Sequence, residues 1–271
     1  MKTKIILASN STYRKAILND LQIPFCVLPS NIDENISQIE NIENVPLILA
    51  QNKAQSIAKY LKDFENNSNI LKIDAPSDEN FNNSIKAEKN ESDKSDQSAT
   101  QAQNEQNQAI NNKPSPPAQS ATQAPMEQNQ NINALNEALK CDLILAGDTV
   151  LIFQNKIIGK QPTEQKAKEC LKLLSGQSHK VISAIALLNR KTNKIICKKN
   201  TTIVQFKTLS NNEIENYLKT NEWQGAAGAY RIQQKGAFFV KKITGSFTSV
   251  AGLPISELYD MLLSQGYPVW Q

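Results

Sequence analysis

The sequence predicts one mixed α/β domain that is interrupted by a long low-complexity insertion. Short apolar runs alternate with amphipathic stretches of helical spacing on both sides of the interruption, as in α/β folds. Residues 64–138 are dense in Asn, Gln, Ser and Ala, contain no Gly and hold only two aromatic side chains. Such a segment buries too little apolar surface to offset its chain entropy. We therefore expect a folded domain from residues 1–63 and 139–271, with residues 64–138 disordered.

The insertion has a repeat and a charge of its own. Residues 97–111 and 119–133 are identical at 12 of 15 positions. Two copies without an apolar face indicate a duplicated linker rather than a solenoid. The insertion carries 11 acidic and five basic residues, so the whole-chain charge of +4 leaves +10 on the other 196 residues. A basic domain suits nucleic acid, an anionic membrane or a polyanionic small substrate, and charge alone does not choose among them.

Several classes of protein are excluded or disfavoured. No apolar run approaches 18 residues, and the N-terminal apolar run is too short for a signal peptide, so we expect a cytoplasmic protein with no membrane segment. The basic residues are scattered rather than interleaved with aromatics, which argues against nucleic acid. Four widely spaced cysteines without a CxxC pair disfavour a zinc site or a disulfide framework. The single histidine, His179, excludes sites that need several imidazoles.

Before the insertion, the pattern predicts two strand and helix units. Lys4–Ala8 is a short apolar strand, and a polar turn with Ser11 or Thr12 as N-cap leads into an amphipathic helix. Backbone N–H groups of such a turn favour an anion. Phe25–Leu28 reads as a strand, and Val45–Leu61 as a helix with proline in its first turn.

After the insertion, strands and helices alternate again. Leu143–Ala146 is an apolar strand that ends at Gly147-Asp148-Thr149, and Val150–Phe153 continues as a second strand before a hairpin turn. The remaining elements are read from apolar periodicity and from the Ser and Gly residues at their ends. They are a helix at Glu164–Leu174, strands at Val181–Leu188 and Ile203–Phe206, a helix at Asn211–Leu218, strand-like runs at Gly228–Ile232 and Ala237–Ile243, and a helix at Ile255–Leu263.

The residues available for chemistry are carboxylates, cations and hydroxyls, which suit hydrolysis of a phosphate ester. That reaction needs cations for the phosphate oxygens, a divalent metal on hard oxygen ligands and a base that orients water. Candidate phosphate contacts are Ser9, Arg14, Lys53 and Lys160. Glu34 and Asp148 could hold a metal or activate water. Taken singly, most of these residues fit a surface charge or a helix cap better, but a carboxylate such as Asp148 that ends an apolar strand is costly unless it is paired or functional.

The order of these pieces resembles the Maf-like nucleotide pyrophosphatases. The similarity covers nearly all of the 196 residues outside the insertion and consists of short blocks in the family's order. These blocks are Leu7–Arg14 (like LASxSPRR), Asp33-Glu34, Lys53-Ala54, Gly147–Val150 (like ADTV), Ile158–Lys160 (like LGK), Leu174–Val181 (like LSGxxHxV), Ala227–Gln233 (like AGAYxIQ) and Gly245–Pro254 (like GSYxNVVGLP).

The resemblance implies a fold, a reaction and roles for the candidate residues. The fold would be a curved mixed central sheet flanked by helices in two lobes around a cleft, commonly as a homodimer. A nucleoside triphosphate would be split into monophosphate and pyrophosphate with Mg²⁺ or Mn²⁺. By the same resemblance, Asp148 would accept the proton of the attacking water and Glu34 would help to hold the metal together with Asp148. Ser9, Arg14, Lys53 and Lys160 would bind phosphates, and His179 would pack a turn against the sheet.

Substrate choice in the resembled family depends on the positions of Tyr13, Thr149 and Gln233. Members with Arg, Thr and Gln act on dTTP and UTP, and members with an aromatic, Gln and Glu act on 7-methyl-GTP. This chain combines an aromatic with Thr and Gln, and the two polar matches favour dTTP and UTP. Hydrolysis of 7-methyl-GTP and a non-catalytic role as a regulator of cell division stay open as alternatives.

The chain departs from the family pattern at three places. Thr12-Tyr13 replaces Pro-Arg, Ala226 stands where many relatives have Lys, and Gln161 replaces a Pro. Each missing cation removes a preorganised contact worth on the order of a few kcal/mol to developing charge. We therefore expect reduced rather than abolished activity.

Overall fold

The computed structural model describes residues 4–36, 39–73 and 133–270, with residues 68–73 described by their backbone alone. The strands are β1 (Ile5–Leu7), β2 (Phe25–Val27), β3 (Leu143–Phe153), β4 (Lys156–Ile158), β5 (Ser178–Asn189), β6 (Lys194–Phe206) and β7 (Val240–Thr244). The α-helices are α1 (Thr12–Asp20), α2 (Val45–Ile73), α3 (133–139), α4 (Glu164–Leu174), α5 (Asn211–Leu218), α6 (Phe247–Val250) and α7 (Ile255–Ser264), and 3-10 helices cover Ile42–Asn44 and Lys235–Phe239. None of the described helices is long and apolar enough to cross a membrane.

The seven strands form one mixed sheet, which confirms the predicted α/β class. Their order is β2-β1-β3-β5-β6-β7, and β4 pairs with β3 beside this path. β1 lies parallel between β2 and β3, since α1 carries the chain from β1 back to the start of β2. β5, β6 and β7 continue the sheet in antiparallel pairs.

One edge of β3 is only partly covered by neighbouring strands. β1 pairs with Leu143–Leu145 and β4 pairs with Leu151–Phe153, so residues 146–150 have no partner on that side among the described strands. On the other side β5 pairs with β3 without interruption from Leu143 to Ile152. The sequence prediction of two separate strands is therefore corrected to one strand that contains Asp148. An uncovered strand edge offers backbone N–H and C=O groups to a ligand.

The two faces of the sheet near β1 are buried by different helices. Leu7 and Leu145 pack in a cluster with side chains of α1 and α7, whereas Ile6 and Ile144 pack with α2 and α3. This alternation follows from the two-residue period of a strand. It also explains the continuous apolar runs of β1 and β3, since both faces are buried.

A second core lies between α4, α5 and the far half of the sheet. Phe206 is fully buried there, and its ring packs edge-on against His179 and Tyr230 with centroids 5.0 and 4.8 Å apart. The helices that cover this core have clear starts. Thr163 caps α4, and Ser210 with Glu213 forms a capping box on α5.

Three segments differ from the sequence prediction. Gly228–Ile232 forms turns rather than a strand, because Gly228 and Ala229 have φ of 70° and 60°, in the left-handed region that strands avoid. The predicted run Ala237–Ile243 begins in a 3-10 helix, and the strand starts only at Val240. β6 is longer than predicted, because it pairs with β5 along the full length of that strand.

The folded part of the chain extends past the second predicted edge of the insertion. The chain divides into two compact units, residues 1–63 with 129–271 and residues 64–128. α2 continues to Ile73, and α3 places Leu135 and Ala138 in the core that α2 also covers. Residues 133–138 thus belong with the folded domain, contrary to the predicted boundary. Residues 74–132 lie outside the described residues, and their predicted disorder stays a prediction.

Candidate active site

A cavity of about 800 Å³ opens at the uncovered edge of β3. Its walls come from the turn after β1, α1, α2, the β3–β4 hairpin and the segments 225–233 and 250–252. Eight of the nine predicted site residues line it, namely Ser9, Arg14, Glu34, Lys53, Asp148, Thr149, Lys160 and Gln233. The first four precede the insertion and the last four follow it, so the fold brings the two parts of the chain together at this cavity.

Lys53 joins two carboxylates inside the cavity. Its Nζ lies 2.7 Å from Glu34 Oε1 and 2.8 Å from Asp148 Oδ1. The side chains of Lys53 and Asp148 are 11% and 15% exposed, whereas that of Glu34 is 58% exposed. Lys53 lies on α2, and Asp148 lies on the β3 face that α2 covers. One ammonium thus connects a buried carboxylate to a solvent-exposed one.

The different surroundings shift the pKa values of the two carboxyls in opposite directions. Burial raises the pKa of Asp148 above the ordinary aspartate value, and the positive charges of Lys53 and Arg14 only partly offset this rise. The hydrogen bond from Lys53 lowers the pKa of Glu34. A carboxylate with a raised pKa is the better proton acceptor, and one with a lowered pKa stays an anion. The geometry therefore suits Asp148 to proton transfer and Glu34 to holding positive charge.

Ser9 and Arg14 form the part of the wall that follows β1. Ser9 Oγ accepts hydrogen bonds from the Ser11 amide at 3.2 Å and from Arg14 Nη1 at 3.0 Å. Both acceptor positions of this hydroxyl are then used, and its own hydrogen is left for an acceptor such as a phosphate oxygen. Arg14 Nε donates to the Gly252 carbonyl at 2.8 Å. Burial lowers the pKa of Arg14, but a guanidinium keeps its charge and has five N–H groups, so donors remain for a ligand.

The cavity lining also includes Lys160 and Thr149. Lys160 follows β4, where its backbone forms a bridge with Ala227. The side chain of Lys160 is exposed, and its charge contributes to the lowered pKa of Glu34. Thr149 Oγ1 accepts from Arg14 Nη2 at 3.4 Å. Gln233 is half-buried in the wall formed by residues 225–233.

Tyr13 is the one predicted site residue that the described cavity lining does not include. It packs, half-buried, against the apolar cluster of α1 and α7, and burial raises the pKa of its hydroxyl. Its neighbour Arg14 faces the cavity, and one residue along a helix turns a side chain by about 100°. The predicted role of Tyr13 in base choice therefore has no support in this geometry.

His179 has the surroundings of a structural residue. Its ring is 2% exposed, and Nε2 lies 2.8 Å from the Tyr230 hydroxyl. Burial lowers the pKa of His179 to about 4, so the imidazole is neutral near pH 7. Because Tyr230 lines the cavity, His179 acts on the site only by holding that ring.

Arg231 is a cavity residue that the sequence analysis missed. Its Nε donates to the Glu222 carbonyl at 2.9 Å and its Nη2 to the Gln224 carbonyl at 2.6 Å, which fixes the turn before Ala226. This turn leads into Ala226, the position where the resembled family pattern has Lys. The only sequence signal was the variable position within the block Ala227–Gln233.

The carboxylates fit a metal ion that arrives with a phosphate ligand. Among the described residues, no group of three or more His, Cys, Asp or Glu side chains could hold a metal ion. Glu34 and Asp148, both bound to one ammonium, lie close enough together to share a cation. Mg²⁺ is commonly held by one or two carboxylates together with water and substrate phosphates. The pair thus fits such an ion.

Comparison with known proteins decides the family. A sequence model described as Maf-like protein matches residues 4–265 of the chain. The chain belongs to the Maf-like family. A relative of this Maf-like protein from Halalkalibacterium halodurans, named dTTP/UTP pyrophosphatase, is 30% identical over 263 residues, which cover 97% of this chain and 96% of the relative.

Two other relatives of the Maf-like protein match over shorter spans. A dTTP/UTP pyrophosphatase from Treponema denticola is 49% identical over 127 residues, which cover 44% of this chain and 63% of the relative. One from Clostridioides difficile is 46% identical over 121 residues, which cover 45% and 62%. This chain therefore spans less than two thirds of the length of these two relatives.

Proposed function

We propose that this Maf-like protein hydrolyses nucleoside triphosphates to the monophosphate and pyrophosphate, with dTTP and UTP as preferred substrates. The observation that carries the proposal is the bridge from Glu34 through Lys53 to Asp148 in the cavity. It combines a buried proton acceptor, an exposed anion and a cation. The names of the relatives, all dTTP/UTP pyrophosphatases, support the same reaction and the base preference.

The proposed reaction uses the side chains in separate roles. Hydrolysis of a phosphoanhydride depends on positioning and on neutralising charge at the phosphate oxygens. Asp148 accepts a proton from the water that attacks the α-phosphorus, and pyrophosphate leaves with the electron pair of the broken P–O bond. The Ser9 hydroxyl and the cations Arg14, Lys53 and Lys160 bind the phosphate oxygens, which draws the anionic substrate into the basic domain.

A divalent cation, Mg²⁺ or Mn²⁺, is part of this proposal. Glu34 and Asp148 would hold it, and when bound it neutralises charge on the phosphate oxygens. Lys53 already pairs with both carboxylates, so the ammonium must share them with the ion. Because the substrate's phosphates bring further negative charge, we expect the cation and the triphosphate to strengthen each other's binding.

The base preference rests on the polar side chains of the cavity. Thr149 and Gln233 line it and can hydrogen-bond to the edge of a pyrimidine, whereas Tyr13 packs elsewhere. The position of Tyr13 therefore favours stacking on a 7-methylguanine base less than the sequence does. The other alternative, a non-catalytic regulator of cell division, would bind nucleotides but would release no pyrophosphate.

Release of pyrophosphate tests the proposal. Asp148→Asn should lower turnover of UTP and dTTP by about 100-fold or more, because a positioned base contributes roughly 10²–10⁴-fold. Asp142→Asn is the matched control, since Asp142 precedes the same strand but pairs with the exposed Lys191. A panel of UTP, dTTP and 7-methyl-GTP, with and without Mg²⁺, measures the base preference. Unchanged turnover in Asp148→Asn would contradict the proposed role.

The cytoplasmic location and the homodimer are further proposals. Cys26, Cys141, Cys170 and Cys197 are all free thiols, as is usual in a reducing compartment. The homodimer rests on the resemblance to the family. Light scattering should give twice the chain mass, and a single-chain mass would rule the homodimer out.

A further inference from the structure

A fully buried serine lies behind Thr149. Ser183 on β5 is 0% exposed and is the cross-strand partner of Thr149. The two hydroxyl oxygens are 2.6 Å apart, which is a hydrogen bond in which either could donate. Thr149 lines the cavity, whereas Ser183 is not among the described residues that line it. Ser183 can therefore influence a ligand only through Thr149.

The hydrogens of this pair can be assigned from the third partner. Ser183 Oγ also lies 2.6 Å from the backbone carbonyl of Ser249. A carbonyl oxygen only accepts, and a serine has a single O–H, so Ser183 must donate to Ser249. Thr149 is then the donor in its bond with Ser183.

This assignment fixes what Thr149 can offer to a ligand. Its only hydrogen is used by Ser183, and on its other side it accepts from Arg14 Nη2 at 3.4 Å. Arg14 cannot accept a hydrogen bond, so Thr149 must accept from it, which is consistent with donation of the Thr149 hydrogen to Ser183. A ligand in the cavity meets a hydroxyl that accepts hydrogen bonds and cannot donate one.

We propose that Ser183 is a positioning residue that makes Thr149 an obligate acceptor, so that the site selects a base with an N–H at this point. The inference rests on the proposed function and specifies its substrate contact. Uracil and thymine have one base N–H, at N3, whereas cytosine has an unprotonated acceptor at N3. Two acceptors facing each other leave a buried polar group unpaired, which weakens binding.

Binding of two analogues that resist hydrolysis tests the inference without relying on turnover. The wild-type chain should bind α,β-methylene-UTP more tightly than α,β-methylene-CTP in calorimetry with Mg²⁺. In Ser183→Ala the Thr149 hydroxyl can turn and donate, so the ratio of the two Kd values should fall about tenfold. Ser183→Thr keeps a hydroxyl at this position and should restore the ratio.

Ser249→Ala is the matched control. Its side-chain oxygen is buried and has no hydrogen-bond partner among the described residues, while the carbonyl used by Ser183 belongs to the backbone and stays. This variant should keep the wild-type ratio, which separates the polarity effect from loss of packing.

The outcomes for the inference and for the proposed function are distinguishable. A Kd ratio that is unchanged in Ser183→Ala, or a wild-type chain with no preference for the uracil analogue, overturns the inference even where UTP is hydrolysed. Selective binding with the expected loss in Ser183→Ala, but without release of pyrophosphate from UTP, supports the inference and overturns the proposed activity.

Discussion

At the scale of single residues, Asp148 is set between neighbours that act on it in opposite directions. Burial raises its pKa, Lys53 and Arg14 lower it, and Glu34 raises it again. The proposed reaction needs Asp148 as an anion, so activity should be lost as the pH falls through its pKa. The pH at which this loss occurs therefore reports the local charge.

Two substitutions should move that loss in opposite directions. Lys53→Met removes a positive charge and should shift the acid limb of kcat/KM to higher pH, whereas Glu34→Gln removes a negative charge and should shift it to lower pH. The measurement is the pH dependence of kcat/KM for UTP, which reports the free enzyme. Glu43→Gln, outside the described cavity lining, should leave the limb in place. Shifts of the same sign in both site variants would contradict the assignment of Asp148.

The buried His179 should make folding stability depend on pH. Its pKa is lowered from 6.5 to about 4 by burial, so between these values the unfolded chain binds a proton that the folded chain does not. The contribution of neutral His179 to the free energy of unfolding is therefore fully present above pH 6.5. It decreases by on the order of 3 kcal/mol as the pH is lowered towards 4. His179→Gln can keep a hydrogen bond to Tyr230, and it should make the free energy of unfolding less dependent on pH between 4 and 6.5. Urea unfolding between pH 4 and 7 measures it, and an equally steep fall in the variant would exclude His179 as the cause.

At the scale of elements, β3 presents two adjacent side chains of the cavity lining on opposite faces. Asp148 meets Lys53 on α2, and Thr149 meets Arg14 on α1. Asp148 was predictable from sequence, since a carboxylate in an apolar run is costly without a purpose. The continuity of β3 was not predictable from the sequence, because the pattern of Gly147-Asp148-Thr149 indicates an interruption. The strand continues through these residues because they pair with β5.

The position of Tyr13 outside the described cavity lining has a similar cause. A family motif gives the order of residues along the chain, but the face of a helix that each one occupies depends on packing. Here the apolar cluster of α1 and α7 takes the tyrosine ring, and the cavity takes Arg14. The hydrogen-bond partners of Arg231 and Thr149 were equally invisible, because they come from distant parts of the chain.

Two deletions with different boundaries should distinguish the contribution of α3 to stability from that of the insertion. A chain in which residues 74–132 are replaced by a glycine–serine linker keeps α2 and α3 and should retain its Tm and turnover. Deleting residues 66–137 also removes Leu135, which is 8% exposed, and Glu137, which pairs with Lys4. Loss of a buried Leu commonly costs about 2–5 kcal/mol, so this Tm should fall by several degrees. Thermal unfolding measures both chains, and equal Tm values would show that α3 adds nothing to stability.

At the scale of the whole molecule, the site exists only when both parts of the chain are folded together. Ser9, Arg14, Glu34 and Lys53 come from one side of the insertion and Asp148, Thr149, Lys160 and Gln233 from the other. A ligand that contacts both parts should therefore stabilise the entire fold. The alternation of strands and helices was enough to predict the mixed sheet, but not its order, because β1 pairs with a strand from beyond the insertion.

Thermal unfolding should show that nucleotide and metal act together. A ligand at about 100 times its Kd adds roughly 2.7 kcal/mol to the stability of the folded state. We expect α,β-methylene-UTP with Mg²⁺ to raise the Tm by about 5–10 °C, and by more than the sum of the two added separately. In Glu34→Gln, most of the increase in Tm that depends on Mg²⁺ should be lost. An analogue that gives the same Tm shift with and without Mg²⁺ would exclude the proposed metal site.

The pairing of β1 with β3 also means that β1 is synthesised well before the strand with which it pairs. Ile5 and its partner Leu143 are 138 residues apart, so the first strand leaves the ribosome long before its central neighbour. At about 5–20 residues per second, the wait is roughly 7 to 28 s. During that time β2, α1 and α2 are the neighbours of β1 that have already been made. The side of β1 that pairs with β3 stays uncovered, and we expect the nascent chain to depend on chaperones until translation has passed the insertion. A shorter insertion would shorten this period without changing any contact within the folded domain.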